Sequence, residues 1–188
     1  MTESDGLDTI DSVLRSDHAA IRRVLADLRG TTDAHATGDL FEQLSADVVR
    51  HFVAEEQYLL PAVRHRLSDG DATSRAAFAE HEHIESLLKK LDNDDTTDER
   101  IGHALDALET ALNTHIEAQD SGLLPALVSA SNEAELIELG QGVLGAELLA
   151  PTHPRSFVPK SATLSKITSW LTGLVEKSID SRGSHDER

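Results

Sequence analysis

At 188 residues the chain is long enough to bury one substantial core with appendages. An apolar fraction of 39% with only 3% aromatics favours helices packed through aliphatic side chains over a β-sandwich. A net charge of −17 works against nucleic acid and anionic membrane surfaces as partners, and the absence of cysteine excludes disulfides, thiolate zinc sites and iron–sulfur clusters.

The chain opens on MTESDGLDTI, which is acidic and polar where a secretory signal would be basic and then apolar, and no later apolar run reaches membrane-spanning length. A cytoplasmic location is therefore expected. Leu7, Ile10, Leu14, Ile21, Leu25 and Leu28 recur at threes and fours and predict a first helix ending near Gly30. Leu44, Val48, Phe52 and Leu59 mark a second, from about residue 39 to 67, closed by the turn sequence Ser68-Asp69-Gly70-Asp71. A third is predicted over 73–91 and a fourth over 98–130, the latter through Ile101, Leu105, Leu108 and Leu112. Nothing alternates with period two, so the fold class expected is all-α.

The helices repeat. His18-x-x-Ile21 returns as His81-x-x-Ile84, an offset of 63, and HFVAEEQYLLP from His51 returns as HIEAQDSGLLP from His115, an offset of 64. Each half is a helix–turn–helix unit, and two of them make an up-down-up-down four-helix bundle over residues 1–132. Pro61 and Pro125, near the two helix ends, are expected to kink or terminate them.

Residues 133–188 read as a C-terminal helical extension. A fifth helix over 133–149 is weakened by Gly140, Gly142 and Gly145. The proline-punctuated stretch 151–159 is a linker, and 161–180 is amphipathic with Trp170 beside its apolar stripe. That last segment either docks on its own bundle or serves a protein partner or dimer.

The histidines fall on the apolar stripes. His18 lies four after Leu14, His51 three after Val48 with Glu55 a turn further, and His115 three after Leu112; on the third helix Phe78, His81, Glu85 and Leu88 share a predicted face. A lone interior histidine is an ordinary core residue, but four at matching heights with interior carboxylates are costly to bury unless a cation neutralises them. Nitrogen and oxygen donors without sulfur favour iron and leave manganese and zinc open, and six or seven ligands exceed what one ion takes. His35, His65, His83, His103, His153 and His185 lack that setting and are expected on the surface. Tyr58 is read either as a pocket residue or as core, and Glu56 either as a support behind the ligands or as facing solvent.

His18, His51-x-x-x-Glu55, His81-x-x-x-Glu85 and His115-x-x-x-x-Asp120, with the LLP ending, resemble the hemerythrin and HHE cation-binding family over about residues 10–130. The resemblance implies two iron ions joined by an oxo or hydroxo group. One would take His81, Glu85 and His115, the other His18 and His51, with Glu55 and Asp120 bridging and one position open to peroxide, dioxygen or nitric oxide. Two residues depart from the pattern. Glu85 stands where the oxygen carriers have histidine, which favours ferric iron and turns the expectation from oxygen carriage toward catalase-like turnover of hydrogen peroxide or toward sensing. Gln119 stands where the repeat has Glu55, and a carboxamide is a poor iron ligand.

Overall fold

A computed structural model describes residues 8–92 and 98–150. Helix α1 is Ile10–Gly30. Helix α2 runs as Ala34–Ala54, passes through a π-helical turn at Glu55–Leu59 and continues over Leu60–Arg66. Helix α3 is Gly70–Asp92. Helix α4 repeats the plan of α2, with Asp98–Ala118, a π turn at Gln119–Leu123 and Leu124–Ala130. Helix α5 is Glu133–Leu149. The described residues are all helix and connecting turn, with no strand among them.

Local chemistry explains where these helices start. Helix α2 begins at Ala34 rather than near 39 because the Asp33 side chain accepts from the backbone N–H groups of His35 and Ala36. At α5, Asn132 and Glu135 form a reciprocal capping box. Pro61 and Pro125 each fall just beyond a π turn, at the start of the α-helical segment that follows. The extra residue of the π turn lets the helix carry on past a residue with no N–H to donate.

Helices α1 and α2 lie along one another, as do α3 and α4, and the last segment of α2 meets α3. Two apolar clusters fill the interior. One gathers Ile21, Leu25, Leu44, Phe52, Ile84, Leu108 and Leu112; the other holds Ile10, Leu14, Leu59, Leu124, Leu127 and Val143. Burying a side chain of this size contributes roughly 1.5–3 kcal/mol, so each cluster is a substantial anchor.

Helix α5 packs against α1, α2 and the π turn of α2, and Leu136, Val143 and Ala146 join the second cluster. Two of its three glycines, which the sequence presents as weak points, are contact points. A Cβ at Gly140 would stand 2.2 Å from the Asp8 carbonyl oxygen, and one at Gly142 would stand 2.3 Å from the Tyr58 ring. Residues 133–149 thus pack onto the first two helices of the bundle. The linker at 151–159, the amphipathic stretch 161–180, His153 and His185 lie outside the described residues. No helix among the described residues is long and apolar enough to cross a membrane.

Candidate metal centre

Between the two apolar clusters lies a polar layer. His18, His51, His81 and His115 come one from each of α1 to α4, and each is at most 2% exposed. Glu55, at the first position of the α2 π turn, is fully buried among them. Its Oε2 is 2.9 Å from His81 Nε2 and 3.5 Å from His115 Nε2, while its Oε1 is 3.1 Å from His51 Nε2. The donor atoms form two overlapping groups, His18–His51–Glu55 and Glu55–His81–His115. Within each group they lie within 4.8 Å of one another.

The imidazoles are aimed from behind. On every one of the four rings Nδ1 meets a carboxylate: His18 donates to Asp120 at 2.8 Å, His81 to Glu56 at 3.0 Å and His115 to Glu80 at 3.0 Å. His51 Nδ1 lies 3.5 Å from Asp17. A carboxylate on Nδ1 fixes the tautomer and leaves Nε2 for the centre. Phe52 stacks on His81 with ring centres 3.9 Å apart and fixes that ring further.

Glu55 is held well below the usual carboxylate range, because His51, His115 and His81 overcome the penalty of its burial. Burial works against a charge on His51, but Glu55 and Asp17 outweigh it and push the ring up to about 10. His81 is likewise raised to about 9 against its burial, by Glu55 and Glu56. His18 goes the other way, lowered to about 4 by burial and by the neighbouring His51. In the absence of a cation, protons on His51 and His81 do the work of balancing Glu55.

That balance is incomplete. His18 Nε2 and Gln119 Oε1 are buried with no hydrogen-bond partner, and His51 Nε2 and Glu55 Oε1, though 3.1 Å apart, are not aligned for a hydrogen bond with each other. Buried polar atoms without a hydrogen bond are costly and rare in a folded interior. These four belong to the polar layer, three of them to one donor group, and a bound cation would satisfy them.

The structure brings together His18, His51, Glu55, His81 and His115. Glu85 is elsewhere: its side chain is 35% exposed and pairs with Lys89 along the same helix. The buried face of α3 runs through Ala77, His81, Ile84 and Leu88, so Phe78, expected on it, is 36% exposed. Asp120 sits behind His18, with Arg15 and Arg22 also on its carboxylate. Glu56, which the sequence leaves between solvent and a support behind the ligands, is 11% exposed and holds His81. Gln119 points inward, and its Nε2 donates to His115 Nε2 at 3.0 Å. Tyr58 packs beside the second apolar cluster, against Gly142. His35, His65, His83 and His103 are exposed.

Asp17 and Glu80 were not anticipated, although a signal was present. An acid immediately precedes each repeated histidine, Asp17 before His18 and Glu80 before His81. Each reaches the histidine of the neighbouring helix instead of its own. Asp17 is in turn met by Glu147 of α5, which burial and the Asp17 charge push up to about 8.

A helical bundle with buried histidine–carboxylate clusters is of the class that holds metal cations. The chain belongs to the hemerythrin family: residues 9–127 match the model of the hemerythrin HHE cation binding domain. An uncharacterized hemerythrin-like protein of Schizosaccharomyces pombe is 20% identical over 172 residues, covering 91% of this chain and 85% of that protein. A DNA nickase of a Nostoc species is 24% identical over 118 residues, 63% of this chain but only 33% of the nickase. Among solved structures, a hemerythrin HHE cation binding domain-containing protein from Mycobacterium kansasii aligns with a TM-score of 0.65 at 21% identity. The alignment covers 76% of this chain and 86% of that one, a likeness of fold.

Proposed function

We propose that the protein is a non-haem di-iron protein that disproportionates hydrogen peroxide to water and dioxygen. The observation that carries this reading is Glu55, a buried carboxylate with one oxygen toward His51 and the other toward His81 and His115. A carboxylate so placed can bridge two cations, each with two imidazoles to itself. The donor set is nitrogen and oxygen without sulfur, which suits iron. Bound iron would supply redox cycling at an open coordination position.

The residues do the rest. His18 and His51 would hold one ion, His81 and His115 the other, and Glu55 both, with Gln119 contributing at most a neutral oxygen. Asp120, Asp17, Glu56 and Glu80 keep the four rings aimed. Flanking apolar clusters limit water at the centre, which restrains side reactions of a redox metal. Glu85, on the outer side of α3, is left out of this ligand set.

The test is an oxygen electrode trace after peroxide is added to iron-reconstituted protein whose metal content has been measured. Oxygen release over many turnovers, abolished in His115→Ala and kept in Glu85→Ala, is the expected result. A flat trace from protein that holds two irons would replace this reading with binding or sensing of dioxygen or nitric oxide without turnover.

A further inference from the structure

The two halves of the bundle differ in what covers them. In the first half, α5 lies in the groove between α1 and α2, over Ile10, Val13, Leu14 and Tyr58. Ile10, Val13 and Leu14 are at most 6% exposed. Their repeat counterparts in the second half are Thr73, Ala76 and Ala77, and the counterpart of Tyr58 is Gly122. Large apolar side chains are thus matched by small ones, and among the described residues no helix lies in the groove that results.

That groove is a cavity of about 310 Å³ between α3 and α4. Small residues line it, Ala76 and Ala77 on one side and Ala118, Gly122 and Ala126 on the other, and it reaches Glu80, His115 and Gln119. A second opening, of about 450 Å³, reaches the same Glu80 and His115 from further along the two helices. Glu80 has a side chain 50% exposed, whereas its counterpart Asp17 is 25% exposed and faces Glu147.

We infer that the α3–α4 groove at Gly122 is the route by which a small uncharged ligand of peroxide size reaches the centre, at its His115 side. The inference rests on the metal-centre reading. Space at the cavity mouth depends on Gly122 lacking a side chain, not on its backbone. A Cβ there meets nothing within 4 Å, and no left-handed backbone angle reserves the position for glycine. Larger residues are therefore compatible with the fold, and a glycine at this place keeps the groove clear.

The experiment compares the parent with Gly122→Tyr, which copies the first half, and with Gly145→Leu, a glycine of α5 with equally free surroundings. Nitric oxide association with the reduced iron-loaded proteins is followed by anaerobic stopped-flow absorbance, with iron content and helicity matched. The expected result is association about tenfold slower in Gly122→Tyr, ~1.4 kcal/mol on the access barrier, and unchanged in Gly145→Leu. An unchanged or faster rate in Gly122→Tyr overturns the route. Hydrogen exchange at the histidine C2 positions of metal-free protein, read by mass spectrometry, separates this failure from a failure to bind iron. His115 should exchange faster than His51 and should slow in Gly122→Tyr; equal exchange of the two rings overturns the route even if no iron is taken up.

Discussion

At the scale of single residues, one carboxylate organises the centre. Glu55 is shared between both donor groups, so Glu55→Ala should reduce bound iron to near none, whereas Glu85→Ala should leave it close to the parent value; metal analysis of the purified variants checks both. Metal ligation requires unprotonated Nε2 atoms, yet His51 and His81 keep their protons up to about 10 and about 9 in the metal-free protein. Iron or zinc uptake should therefore release protons and tighten as pH rises toward that range, which calorimetry in buffers of different ionisation enthalpy measures. The same shifts set the stability of the metal-free form. Both groups are raised above the ordinary histidine value of 6.5, so their contribution is complete below it and is lost as pH climbs through 9 and 10. His18, lowered to about 4, acts oppositely, and its contribution fades as pH falls from 6.5 toward 4. Thermal melts of chelated protein should show a maximum near neutrality that disappears on its alkaline side once His51 and His81 are substituted.

At the scale of helices, the residues of the centre were only partly legible. The repeat points to the four histidines and to Glu55, because interior positions three and four residues apart share a face. The facing of Glu85 is harder to read, since Ile84 and Glu85 both lie within one turn of His81 and only packing decides which turns inward. Asp120 is ambiguous for a related reason. It lies five residues beyond His115, inside a π turn that shifts the phase of everything after Gln119. From there it meets His18 of α1, just as Glu56 meets His81 from the other π turn. Glycine in α5 posed the reverse problem, a residue of low helix propensity placed where backbone must approach closely. Gly140→Ala should lower stability by about 1–3 kcal/mol, because the added methyl meets the backbone at Asp8 and Thr9 and not a movable side chain. Gly145→Ala, with free space around it, should raise the melting temperature slightly.

For the molecule as a whole, a cation held in the polar layer would be part of the stability of the fold. Cations that bind the native form and not the unfolded chain shift the folding equilibrium by mass action. Removing metal with a chelator should lower the melting temperature by several degrees, and restoring it should reverse the loss. A melting temperature indifferent to chelation would count against a cation at the centre. The bundle and its internal repeat follow from the periodicity of the sequence, whereas the place of α5 does not. Nothing in its composition says which groove it fills until the apolar residues of α1 are compared with their smaller counterparts on α3.

The paired π turns have a consequence for the symmetry of charge. Each lies four residues beyond an interior histidine, at Glu55–Leu59 and at Gln119–Leu123. The first residue of each turn is buried, glutamate in one half and glutamine in the other. Two matching stretches of backbone therefore deliver one negative group between four rings where a second glutamate would deliver two. Gln119 keeps the shape of that second side chain and omits its charge.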